Sequence, residues 1–333
     1  MPETVPVHRL RPDIYEGMED QIVEMFREIL FQPLVDVLKQ ETSGTVMVLE
    51  NAPVDLVLKA IREGKLQYAQ GVFSGTYTAR LAVALRALGA EFDARSKVYR
   101  VSQGKVPGAI VAEASAYQDK AKRIHQAIDR TLNDIVTGLE TKVAGKSLDA
   151  SNVFVDIEDG FAPAAKALEV NPKLNPDKKT ELERRYTDNV KLAVNDFTKK
   201  QVLMLHKEVE KNATEGYRFD KLTEAIRNRY GIAQRHAKFL ARNETSIFMS
   251  TYREQRFQQA GVRRYIWVTS HDSRVRPAIG LTAREKQLAG NHRELDGHAF
   301  FFNDPPIVDK NTGRRANPGM DYNCRCIAKP ILE

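Results

Sequence analysis

The chain has 333 residues, of which 42% are hydrophobic and 29% charged, enough apolar material for two or three ordinary domains that need neither disulfides nor a metal for stability. Its two cysteines, Cys324 and Cys326, stand one residue apart, so a bridge between them would constrain almost nothing in the unfolded chain, and a disulfide framework is excluded. The net charge of +7 is unevenly placed: residues 221–333 carry 20 Lys and Arg against 11 Asp and Glu, whereas residues 1–220 carry 31 against 33. No stretch approaches the roughly 18 uninterrupted apolar residues of a membrane helix. The start, MPETVPVHRLRPD, lacks the basic-then-apolar order of a signal peptide, so the expectation is a soluble chain with reduced thiols, made in a cytoplasm.

In chain order, residues 18–40 place Ile22, Met25, Phe26, Ile29 and Leu30 on one helical face, with Pro33 expected to bend or end that helix. An apolar run, TVMVLEN, precedes a helix capped at Asn51 and ending near Gly64. GKLQYAQGVFSG, with glycines at 64, 71 and 75, reads as a turn-rich connector. A helix in TYTARLAVALRALG stops at Gly89, and SKVYRVSQG reads as a short strand closing a first domain near residue 105.

The most regular pattern follows. Ile110, Ala114, Tyr117, Ala121, Ile124, Ile128, Leu132, Ile135 and Leu139 recur at steps of four and three, which predicts a helix of about thirty residues, roughly 45 Å long. Such a narrow seam must pack against another long helix or another chain. Beyond the turn-forming EVNPKLNPDKK, Leu182, Tyr186, Val190, Ala193 and Phe197 repeat the step in a helix reaching about Asn212, which predicts a long antiparallel hairpin. A helix from an Asp220 cap should end at Gly231, and another should run from Ile232 to Gln259. From Val262 on, short apolar runs between Gly, Pro, Asn and Asp read as strands and loops. The expected class is α+β, mainly α: a helical N-terminal domain with short strands (1–105), a helical hairpin and body (106–260), and a small β-rich module (261–333).

The chemistry-bearing residues crowd that module. In an extended segment, residues i and i+2 point the same way, so Cys324 and Cys326 could face one ion. Zinc would need two further donors, with His292 the first candidate and His271, Asp272 or His298 next. The bland alternative is a pair of small buried thiols fixing a turn beside Arg325. Arg263, Arg264, Arg274, Arg276, Arg314, Arg315 and Arg325 are the candidates for gripping phosphates without reading sequence, or for holding loops by pairing with Asp272, Asp296, Asp304 or Asp321. Tyr265 and Trp267 alternate with Ile266 as on a two-faced strand, which places Trp267 in the core, and the run Phe300 to Phe302 must leave one ring on the opposite face.

Five short motifs occur in order: Arg242, Asn243, Glu244 and Thr245 on a helix; Gly261, Val262, Tyr265 and Trp267; Asp272, Arg274, Arg276 and Pro277; His292, Leu295, Asp296 and Gly297; and Asn323, Cys324, Arg325 and Cys326. Together they resemble the phage Mu F-like family, the minor head or head-morphogenesis proteins of tailed phages. The resemblance covers roughly residues 235–333, with GKLQYAQGVFSG and LGAEFD similar to the upstream part of related minor head proteins. The chain departs from the family in carrying AIGLTAREKQLAGN between Pro277 and His292.

The resemblance implies a non-enzymatic protein of the virion, at the capsid interior or portal vertex, assembled in the host cytoplasm. Its partners would be the portal protein, a major capsid or scaffolding protein and non-specific double-stranded DNA, with no membrane and no cofactor beyond a candidate zinc ion. Its role would lie in head morphogenesis and DNA packaging or ejection. The rival is a metal-dependent enzyme on nucleic acid, nuclease or deaminase-like, centred on His292, Cys324 and Cys326. Zinc deaminases, however, space their two thiolates at i and i+3 after a proline, and this chain does neither.

Overall fold

A computed structural model of the protein describes residues 4–42, 53–102, 104–214, 219–277, 282 and 290–332. The architecture is α+β and mainly helical, with small antiparallel sheets. Among the described residues no helix is long and apolar enough to cross a membrane. The chain divides into two compact units, each assembled from separate stretches: Met1–Glu24, Lys146–Val194 and Gln234–Glu333 form one, and Met25–Gly145 with Asn195–Ala233 the other.

Helix α1 (Asp13–Phe26) continues through a π-helical turn (Arg27–Phe31) into α2 (Gln32–Thr42). Ile22, Met25, Phe26, Ile29 and Leu30 are all buried, as their spacing predicts. Pro33 does not end the run. A proline ring presses on the carbonyl four residues back, that of Ile29 here, and the wider π turn lies over that position. The TVMVLEN run and the Asn51 cap fall outside the described residues.

In the second unit, α3 (Pro53–Arg62) leads into β1 (Leu66–Ala69) and β2 (Val72–Gly75), which pair as an antiparallel hairpin where a connector was expected. Its two-residue turn, Gln70–Gly71, holds both residues at positive φ, the conformation that matches the twist of the flanking strands. After α4 (Ala79–Ala87), capped by the Thr78 hydroxyl, β3 (Glu91–Asp93) and β4 (Val98–Arg100) complete a sheet of order β1-β2-β4-β3. Val57, Ile61, Leu66, Phe73, Leu85 and Tyr99 fill its core together with Ile110 and Ala114 from the start of α5 (Gly108–Ala144). All nine residues of the α5 seam are buried. The partner helix is α8 (Pro176–Thr214), running antiparallel: His125, Asp129 and Glu140 meet Asn212, His206 and Lys199 in reverse order, at 2.8, 2.8 and 3.1 Å.

In the first unit, α6 (Ser151–Asp159) and α7 (Ala162–Ala167) are elements the sequence does not predict, because each is too short to show a helical period. Buried Phe154 of α6 and Phe161, just before α7, pack on Phe248 and Phe257, with ring centroids 4.4 and 5.1 Å apart. Leu182, Tyr186 and Val190 of α8 are buried in this unit, and the next buried position is Val194 rather than Ala193.

Helix α9 runs unbroken from Phe219 to Gln259. Gly231 does not terminate it, and Asp220 lies within it rather than before it. A helical glycine costs about 1 kcal/mol relative to alanine. Against that, Leu222 and Ile226 before it and Ala233, Ala237, Leu240 and Ala241 after it are all buried. The remaining strands are β5 (Arg264–Val268), β6 (Ala299–Phe301), β7 (Ile307–Asp309), β8 (Arg314–Arg315) and β9 (Ile327–Pro330), with the four-residue helix α10 (His292–Leu295) between β5 and β6. The order β6-β5-β9 puts β5 in the centre, and Val5 N–H donates to Pro330 O at 3.0 Å along the outer edge of β9.

Candidate functional site

Strand β5 alternates as its sequence predicts: Tyr265 and Trp267 are fully buried on one face, and Phe302 joins them while Phe301 is exposed. His292 opens α10, which Arg293 N–H pins by donating to Arg276 O at 2.7 Å. The imidazole stands edge-on to Trp267, with ring centroids 5.3 Å apart. On its other side the chain from Cys324 to Cys326 is extended just before β9, so both sulfurs point the same way.

The result is a closed cluster. His292 Nδ1 lies 3.5 Å from Cys324 Sγ and 3.6 Å from Cys326 Sγ, and the three donor atoms fall within 4.8 Å of one another. His292 Nε2 lies 2.9 Å from Asp321 Oδ2, and this carboxylate is also paired with Arg276 at 2.6 Å and with Arg314. Burial alone would raise the Asp321 pKa, but His292 and the two guanidiniums outweigh it and hold the carboxyl at about 2. Burial likewise opposes a charged His292, yet its bonds to Asp321 and Cys324 bring its pKa above the ordinary value. Hydrogen bonding from Cys326 keeps the Cys324 thiol well below the usual range, and the same contact, with burial, drives Cys326 far up. The backbone N–H groups of Gly319 and Cys326 also point at Cys324 Sγ, both at 3.4 Å.

Cys324, His292 and Asp321 stand in the order of a nucleophile, a base and the carboxylate that orients it. One ring nitrogen faces two sulfurs at nearly equal distance, however, and both thiols are only 5% exposed. That suits ligation or packing better than attack on a bulky substrate.

Helix α9 clamps the cysteine loop. Arg242 donates to Asn323 Oδ1 at 2.6 Å, Asn243 Oδ1 accepts from Asn323 N–H at 2.6 Å, and Ser246 Oγ reaches the carbonyls of Gly319 and Cys324 at 3.4 and 3.3 Å. Glu244 accepts from the Asn243 amide at 2.9 Å, and its burial raises its pKa although that bond opposes the shift. Thr245 shares a 2.9 Å hydrogen bond with Tyr186 of α8. Asp296 closes the top of β5 by accepting from Thr269 N–H at 2.7 Å, and Gly297 N–H donates to Trp267 O at 2.8 Å.

Asp272 does not join the cysteines. It forms a bidentate pair with Arg325, at 2.8 and 2.5 Å, and this bond foremost lowers its pKa to about 2. His271 and His298 are exposed and lie outside the cluster as well. Among the arginines, Arg276 and Arg314 serve Asp321, Arg325 and Arg274 serve Asp272, and Arg315 lies 2.6 Å from Asp304. Arg264 covers the Phe301 ring at 5.4 Å, and Arg263 is exposed. Five of the seven guanidiniums thus share three carboxylates.

Residues 204–329 match the family described as phage Mu protein F like protein. That stretch resembles the phage Mu F-like family. A Haemophilus influenzae protein described as uncharacterized is 30% identical over 100 residues, a match that takes in 30% of this chain and 18% of the relative. No solved structure matches. The Mu F-like stretch contains α9, the paired strands and the whole cysteine cluster.

Asp321 is the member of that cluster the sequence reading assigned only to loop pairing. It lies three residues before Cys324, in a turn whose direction local pattern does not specify. The segment AIGLTAREKQLAGN lies largely outside the described residues, yet His292 beyond it reaches both sulfurs.

Proposed function

We propose that this protein is a minor head protein of a tailed phage, acting in head morphogenesis at the portal vertex and in the packaging or ejection of DNA. The Mu F-like match over residues 204–329 carries this reading. The geometry supports a structural rather than an enzymatic role: the His292, Cys324 and Cys326 cluster is buried, and five arginines that could have gripped a ligand are engaged by carboxylates.

The expected partners are the portal protein, a major capsid or scaffolding protein, and double-stranded DNA held without sequence readout. Arg263, Arg264, Arg314 and Arg315 are the residues best placed for DNA, because each is at least partly exposed on the strand region, although Arg314 and Arg315 also pair with Asp321 and Asp304. The deciding experiment is co-purification of the full chain with the portal protein and its recovery in proheads. A chain that neither binds the portal nor enters proheads overturns the head-protein reading. Neutralising the four arginines should weaken DNA binding uniformly across sequences and flatten its salt dependence, and unchanged binding in that variant removes the DNA contact.

A further inference from the structure

We propose that His292, Cys324 and Cys326 form a zinc site in which Asp321 orients the histidine. The first support is the spacing of the donors. Nitrogen and sulfur ligands about 2.05 and 2.3 Å from a tetrahedral zinc ion stand about 3.6 Å apart. His292 Nδ1 lies 3.5 and 3.6 Å from the two sulfurs, the separation that one ion asks of each nitrogen–sulfur pair, and all three donors lie within 4.8 Å of one another.

The second support is the outer shell. A zinc-bound histidine almost always donates its other ring N–H to a carboxylate, which leaves the metal-facing nitrogen with a free lone pair. Asp321 sits 2.9 Å from Nε2 and is itself fixed by Arg276 and Arg314, so on metal binding Nε2–H would donate to Asp321 and the Nδ1 lone pair would face the ion. The two backbone N–H groups directed at Cys324 Sγ suit a thiolate better than a thiol.

The donor set selects the ion. Two sulfurs and one imidazole nitrogen favour zinc over magnesium or calcium, which take oxygen ligands. No further His, Cys, Asp or Glu among the described residues joins the group, which supplies three of the four positions of a tetrahedral ion. Binding replaces the remaining sulfur-bound protons, which pass to solvent, and involves no redox change. The ion would tie α10 to the segment entering β9. This inference concerns the fold of the module and stands apart from the proposed head function.

The test uses the full chain, purified without chelators from zinc-supplemented cells. Elemental analysis should find one zinc per chain, and cobalt(II) added to the reduced, metal-stripped protein should give the intense near-ultraviolet band of thiolate ligation with tetrahedral visible bands. His292→Ala should lose stoichiometric zinc, whereas His292→Cys, which restores a ligand, should retain it. Should His292→Ala fail to fold, the cobalt spectrum of the unaltered chain decides. Absence of both stoichiometric zinc and the thiolate band, in a chain whose circular dichroism shows it folded, overturns the proposal. So does equal zinc retention by His292→Ala.

Discussion

Replacing Gly319 by alanine should destabilise the C-terminal strand region by about 2–5 kcal/mol. Gly319 sits at φ +83°, where a residue with a Cβ is strained by roughly 1–2 kcal/mol. The added carbon would also overlap Ser250 Oγ and stand 3.1 Å from Ser250 Cβ and 3.3 Å from Cys326 O. Forced overpacking of this kind costs about 1–3 kcal/mol. Part of the clash belongs to an atom that can be removed. In a Ser250→Ala background the Oγ overlap disappears while the Cβ contact and the backbone strain remain, so Gly319→Ala should then cost about 1 kcal/mol less. Trp267 is the single tryptophan of the chain, fully buried and in contact with His292, so its fluorescence reports this region directly. Denaturant midpoints for the two single variants, the double variant and the parent form a complete cycle. A Gly319→Ala change within about 0.5 kcal/mol of the parent, or an equal cost in both backgrounds, would refute the claim that α9 and the cysteine loop are in close contact here.

Two further outcomes follow from the second unit. Leu132 is fully buried at the middle of the α5 seam, so Leu132→Ala should cost about 2–5 kcal/mol in urea denaturation followed by far-ultraviolet circular dichroism, and a loss below about 1 kcal/mol would place the seam at the surface. Burial lowers the pKa of His125 from its ordinary value, with the bond to Asn212 partly opposing the shift. The unfolded chain therefore takes up a proton that the folded chain refuses. Its contribution to stability is complete above about pH 6.5 and is lost as pH falls through the range below. His125→Gln should flatten the difference in stability between pH 8 and pH 5, and an unchanged difference would contradict a buried neutral imidazole.

The long helices were legible because amphipathic period is a local signal. The nine residues from Ile110 to Leu139 recur at helical spacing, and each is buried. Trp267 and Tyr265 were legible for the same reason on a strand. The hairpin at Leu66–Gly75 was not: its glycines mark turns, and a turn between two short runs looks the same whether the runs pair or wander. Gly231 misled because an intrinsic preference of about 1 kcal/mol was outweighed by burial on both sides. The arginines were legible only as two alternatives, phosphate gripping or loop pairing, because composition cannot show that Asp321, Asp272 and Asp304 pair with five of them.

What the sequence determined by itself is the helical character, the soft donors at i and i+2, and the order of motifs over roughly residues 235–333 that resembles the Mu F-like family. Only the tertiary structure decided which donors meet. His292 and Cys324 are separated by 32 positions, and their 3.5 Å approach depends on α10 docking beside Trp267, on Gly319 letting α9 close over the loop, and on Asp321 turning inward to hold the imidazole. Each of these is a long-range contact set by packing and charge. Residue order along a chain carries periodicity and spacing, but the free energy that brings distant side chains together is settled only when the whole core is buried.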